Sequence, residues 1–233
     1  MTAVISLDWL ICPDGVEIHD DTRFAGKAPI EFPEGVWRQY FGPTFRFRGG
    51  TNRVRHKIEN LEKPIIVDFV NCKTDDDLAA FLGKYGMLVR RKNKGPATVE
   101  NVREAQSELK KLLEAAVDRD KSKSLKQIRS ESLKRINRVL IGNDEVALRP
   151  RLEFSGHGDR QELALRPASL YGLMIMEAVL IAAADSLLHS CLNCGTLFIS
   201  GTGTGRRSRA QYCSDKCRVA AHRARARGGK AGE

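Results

Sequence analysis

The sequence predicts an α+β protein: a small β-rich section first, a mainly helical middle containing one β-hairpin, and a compact cysteine-bearing module at the end. Short strand-like pieces bounded by Gly and Pro fill residues 1–62, and runs with helical period dominate 63–189. Four of the six cysteines fall within 190–233. A chain of 233 residues that is 42% hydrophobic and 29% charged can bury a core, which excludes a wholly disordered protein.

In the first segment "GVEIHD" and "TFRFRGG" read as short strands between turns. Trp37, Tyr40, Phe41, Phe45 and Phe47 stand beside Arg38, Arg46 and Arg48, a mixture that either stacks nucleic-acid bases or, more commonly, packs a small core. "PIIVDFVN" at 64–71 reads as a buried β-branched strand or a short apolar segment. After it, Thr74 with Asp77 three positions on imitates a capping box. Leu78, Phe81, Leu82 and Tyr85 then share a helical face until Gly86 stops the helix. Cys72 has no base near it in sequence and reads as a small core or surface residue and not as a nucleophile.

Val102, Ala105, Leu109, Leu112, Leu113 and Ala116 keep helical period, and Leu125, Ile128, Ile136, Val139 and Leu140 do so again, which predicts an α-hairpin. "EVALRPRLEFS" and "QELALRPAS" flank the turn-forming "GHGD", predicting a β-hairpin over 145–166 with His157 as a loop residue. The apolar run 168–188 carries Glu177 and Asp185, so it reads as a central core helix and not as a membrane span. "MTAVISLDWLICPDGVEI" lacks a basic leader and its apolar run is broken by Asp8 and Pro13, so it does not read as a signal peptide and the expected location is the cytoplasm.

The chemistry concentrates in the third segment. Cys191, Cys194, Cys213 and Cys217 give C-x2-C-x18-C-x3-C, two close pairs that an intervening hairpin can bring to the corners of a tetrahedron. One structural Zn²⁺ per chain is the expected occupant, because four cysteines leave no open position for water activation. "CLNCG" has the form of a zinc knuckle with Gly195 in a left-handed turn. "TLFIS" and "RAQYC" are expected as two strands around "GTGTGRR", and Ser214 as the cap of a helix whose first turn presents Cys217. Knuckle, hairpin and ligand-bearing helix make a treble-clef arrangement. His189 is expected to cap or pack at the end of the apolar helix, and His222 to sit on the surface of the last one.

Charge sharpens this picture. The net charge is +10, and residues 206–230 hold nine Lys/Arg against one acid, leaving 30 bases and 28 acids elsewhere. A metal-nucleated first turn lowers the initiation cost of "AAHRARAR", so a basic helix is expected where an isolated peptide would be a weak one. Arg218 and Arg225 share one face, with Lys216, Arg223 and Arg227 on an adjoining one, and alanines between them permit close approach to a phosphate backbone. His222 adds a phosphate contact, and Arg206, Arg207 and Arg209 widen the surface. The implied partner is nucleic acid, DNA in the first place.

The order of these parts resembles the bacterial ABATE-domain proteins that end in a CGNR-type zinc finger. The resemblance runs from "PIIVDFVNCKTDDDLAAFLGKYGML" through "CLNCGTLFIS" to "RRSRAQYCSDKCRVAAHRARAR". It implies a mostly helical domain that senses a ligand or dimerises, a DNA-binding finger ligated by Cys191, Cys194, Cys213 and Cys217, and a role in transcriptional regulation. In place of the family's Cys-Gly-Asn-Arg this chain has "CRVA", and "YCSDKC" looks equally like the second half of MYND- or HIT-type modules, which bind proteins. A protein-interaction adaptor or an RNA-binding protein is therefore the alternative. No nucleophile–base pair, phosphate-cradling loop or open metal site points to an enzyme, since "GTGTG" lacks a strand-to-helix setting.

Overall fold

Alternation in VISLDWLI puts Ile5, Leu7 and Trp9 on one side of the first strand, β1 (Val4–Ile11), and these residues enter the core. The computed structural model describes residues 4–19, 43–58, 61–88, 97–117, 134, 149–154, 161–184 and 186–228. Apart from Lys134, which is helical, the helix expected over 125–140 lies outside the described residues, as do the turn with His157 and Trp37, Arg38, Tyr40 and Phe41.

Three antiparallel pairs account for most of the β-structure. β2 (Val16–His19) pairs with β3 (Thr44–Phe47), where Phe45 is buried and Phe47 packs against the core, the packing role of the two alternatives. β4 (Asn52–Ile58) pairs with β1 in the register Ile5↔Ile58, Leu7↔His56 and Trp9↔Val54. The expected hairpin forms as β5 (Arg149–Phe154) and β6 (Gln161–Arg166). β6 also lies parallel to β1, giving one four-stranded sheet in the order β4-β1-β6-β5. Strands from the first segment and from the middle thus share a sheet.

"PIIVDFVN" is a helix, α1 (Ile65–Val70), and not a strand. A six-residue apolar run carries no period that separates the two states. What decides is where its free backbone groups find partners. The Glu177 carboxylate, 112 residues away, accepts the N–H of Ile65 (3.0 Å) and of Ile66 (2.7 Å). At the other end the Gln106 amide donates to the carbonyls of Phe69 and Cys72, both at 2.8 Å, and Arg103 donates to those of Cys72 and Lys73. Cys72 itself is half-buried, its thiol donating to the Asp68 and Asp77 carbonyls.

α2 (Asp75–Tyr85) begins with the capping box that the sequence announced: Asp77 N–H donates to Thr74 Oγ1, and Thr74 N–H to Asp77 Oδ2. It ends at Gly86, whose φ of +101° only glycine adopts readily, and a Cβ there would collide with the Trp9 indole and the Leu10 carbonyl. Trp9 in turn donates through Nε1 to the Met87 carbonyl at 2.9 Å. α3 (Val99–Val117) buries Val102, Ala105, Leu109, Leu112 and Leu113 on one side. α4 (Leu170–Ala183), capped by Ser169, is buried almost all round, as a core helix should be. It is shorter than the apolar run, because Leu187 and Leu188 leave it for the next strand.

Candidate metal centre and basic surface

β7 (Leu187–Ser190) and β8 (Leu197–Ser200) form a hairpin in the register Leu187↔Ser200 to Ser190↔Leu197, and its tip is the knuckle "CLNCGT". The partner of "TLFIS" is thus the strand before the knuckle, while "RAQYC" forms no strand. A six-residue connection closes such a pair locally, where "RAQYC" would have to return across the Gly-rich turn. Gly195, at φ +72°, turns its N–H onto the Cys191 carbonyl (2.8 Å), and Cys191 N–H meets the Thr196 carbonyl (3.0 Å). His189 lies in β7 and not at a helix end; it stacks on Phe198 and lies 2.7 Å from Ser200 Oγ.

The second cysteine pair introduces α5 (Asp215–Gly228). Ser214 accepts the Cys217 N–H on its side-chain oxygen (3.3 Å) and the Arg218 N–H on its carbonyl (3.1 Å), so Cys217 sits in the first turn as the sequence implied. The four sulfur atoms all lie within 4.8 Å of one another. Cys194, Cys213 and Cys217 form a triangle with sides of 3.6, 3.5 and 3.7 Å. Metal–sulfur arms of about 2.3 Å give a tetrahedron with an edge of about 3.8 Å, so the donor set fits a tetrahedral ion, whereas a disulfide needs about 2.05 Å. The four cysteines can hold a metal ion together.

Their electrostatics suit a cation. Desolvation opposes the Cys191 thiolate, but the surrounding N–H groups of Cys213, Asn193 and Cys194 outweigh it and bring that thiol down to about 6. Cys194 is lowered chiefly by Thr196, whose hydroxyl lies 3.2 Å from its sulfur. Cys213 is pushed up to about 12 by burial and then by the neighbouring thiols. A cation held by all four sulfurs binds them as thiolates, so its binding releases the protons they carry.

The cysteine-bearing module is fastened to the body through α1. Asn71, at the end of that helix, donates from Nδ2 to the Leu197 carbonyl (2.8 Å) and accepts the Leu197 N–H on Oδ1 (2.7 Å), completing the edge of β8. Ile199 belongs to the same core as Ile66 and Leu82, and Leu61 N–H donates to Gly203 in the Gly-rich turn at 3.1 Å. Sequence reasoning missed Asn71 and Glu177 because their partners lie more than a hundred residues away.

The basic residues divide by what holds them. Arg206 is half-buried, with its guanidinium over the Phe198 ring at 5.3 Å. Arg218 pairs with Asp215 (2.9 Å), and Arg225 donates to the Tyr212 hydroxyl (2.7 Å). Arg207, Arg209, Lys216, His222 and Arg223 are exposed, and the Arg227 side chain lies outside the described residues.

Residues 64–190 match the ABATE family, described as "Putative stress-induced transcription regulator". That span is more than half of the 233-residue chain. The chain belongs to the ABATE family. Searches of curated proteins and of solved structures returned no match. The ABATE segment contains α1 to α4 and the β5–β6 hairpin, and it ends where the knuckle begins, so Cys191 to Cys217 lie just beyond it. At the level of the family, the chain is a transcription regulator with a cysteine cluster able to hold a metal. Among the described residues, no helix is long and apolar enough to cross a membrane.

Proposed function

We propose that this chain is a cytoplasmic, DNA-binding zinc-finger regulator. One structural Zn²⁺ on Cys191, Cys194, Cys213 and Cys217 starts α5, and α5 together with the Arg207–Arg209 turn docks on duplex DNA. The body over residues 63–189 senses a small ligand or dimerises. The observation that carries this reading is the junction of metal site and helix: sulfur separations near a tetrahedral edge, with the last sulfur in the first turn of an exposed basic helix. A closed, tetrahedral four-thiolate set suits Zn²⁺ in a structural role.

The test is binding of metal-loaded full-length chain to a fluorescent random-sequence duplex over a salt series. About four freely exposed cations give log Kd against log[salt] a slope magnitude of about 3 to 5. Absent or salt-independent binding refutes the DNA reading.

One observation favours a protein partner: Leu192, at the knuckle tip, is 69% exposed. On that alternative a partner captured by the finger survives nuclease treatment and is lost on Leu192→Ser. RNA in place of DNA would appear as tighter binding to a single strand than to a duplex of the same sequence.

A further inference from the structure

The structure separates the cations of α5 into two groups, and one apolar residue stands in the second. Arg218 and Arg225, seven residues apart, lie on one side of the helix and already have partners in Asp215 and Tyr212. Cys217 and Ala221, half-buried, mark the side turned to the finger. What remains is the outward side, where Lys216, Val219 and Arg223 follow at i, i+3 and i+7, all exposed. Val219 is 43% exposed, on a helix whose other small positions are alanines. A β-branched residue is a poorer helix former than alanine by a few tenths of a kcal/mol, and here little packing offsets that.

We infer that α5 enters the major groove of duplex DNA on the Lys216–Val219–Arg223 face, with Val219 against the 5-methyl group of a thymine. This deepens the DNA-binding reading and rests on it. Charge selects the occupant: cations one turn to either side of Val219 suit phosphates flanking a groove, and they would be left unneutralised against an apolar protein surface. Size agrees, since the major groove is about 12 Å wide and admits one helix. The exposed alanine at 220, beside Val219, lets the backbone come close. Of the four bases only thymine offers a methyl group there, so an apolar side chain between two cations reads that base and no other. Arg225, bonded to Tyr212, ties the helix to the finger, while Arg218 and Asp215 form an i,i+3 pair within the helix itself.

The experiment starts from a duplex selected by the metal-loaded full chain from a random pool, in which each thymine is then replaced by deoxyuridine, which lacks only the methyl. At one position per bound finger the wild-type chain loses about fourfold in affinity, the worth of one buried methyl. Val219→Ala loses a similar factor on the thymine duplex and is indifferent to deoxyuridine at that position. Lys216→Ala and Arg223→Ala weaken binding to every duplex and lower the salt slope. Unchanged metal content and circular dichroism show that these exposed substitutions leave the fold intact. If the wild type binds duplexes with a salt slope but selects no sequence, or Val219→Ala keeps full sensitivity to deoxyuridine, the face assignment is overturned while DNA binding stands. If Val219→Ala instead abolishes capture of a protein and leaves duplex affinity unchanged, the face is a protein-docking surface and the inference fails. If the wild type binds no duplex, the underlying reading fails with it.

Discussion

Replacing Glu177 by glutamine isolates one buried charge at the start of α1. The carboxyl is 4% exposed and accepts two backbone N–H groups, from Ile65 and Ile66. Burial, only partly offset by those N–H groups and reinforced by Asp68, pushes it up from 4.5 to about 7. An acid whose pKa is raised by folding stabilises the fold at low pH. That contribution is complete below about 4.5, where both states are protonated, and it is lost as pH rises through about 7. A rise of roughly 2.5 units at about 1.36 kcal/mol each gives about 3 kcal/mol. Urea unfolding of both chains from pH 4.5 to 8 measures it. Glu177→Gln keeps a carbonyl oxygen for one N–H and does not titrate, so its stability relative to wild type rises by about 3 kcal/mol across that range. The metal cysteines are common to both proteins and cancel in the difference. Two parallel curves would refute the reasoning.

Asn71→Ala removes both bonds to Leu197 and is expected to cost about 2 kcal/mol, with faster hydrogen exchange at the Leu197 amide as the local sign. Gly86→Ala meets an unfavourable φ and the Trp9 indole, so thermal unfolding should report a loss of at least about 2 kcal/mol. Cys217→Ser should lower bound zinc from one per chain to well below one by elemental analysis, and a chelator should bring wild type to the same state, each with loss of helical ellipticity from α5.

The elements legible in the sequence were those whose causes are local. Thr74 and Asp77 form their capping box three residues apart, and Ser214 caps the turn that holds Cys217. The cysteine spacing announced a cluster that the chain closes over a short hairpin. What the sequence hid depends on distant partners. α1 resembled a strand because its caps come from Gln106, Arg103 and Glu177, on two other helices. The strand paired with "TLFIS" was misplaced because "LLHS" prolongs an apolar helix run, and only the Ser186 to Ser190 exit reveals the change of state. The sequence placed the basic residues of the tail on two adjoining faces, both open to a partner, yet Tyr212 and Asp215 already engage the two arginines of one of them.

The central claim joins metal, helix and nucleic acid, and one titration tests all three: anisotropy of a fluorescent duplex with the zinc-loaded chain, with the same chain after chelation, and with zinc restored. Binding is expected to be tight at low salt, to weaken steeply as salt rises, to be lost with the metal and to return with it. Duplex binding that is unchanged by removing the metal would contradict the claim.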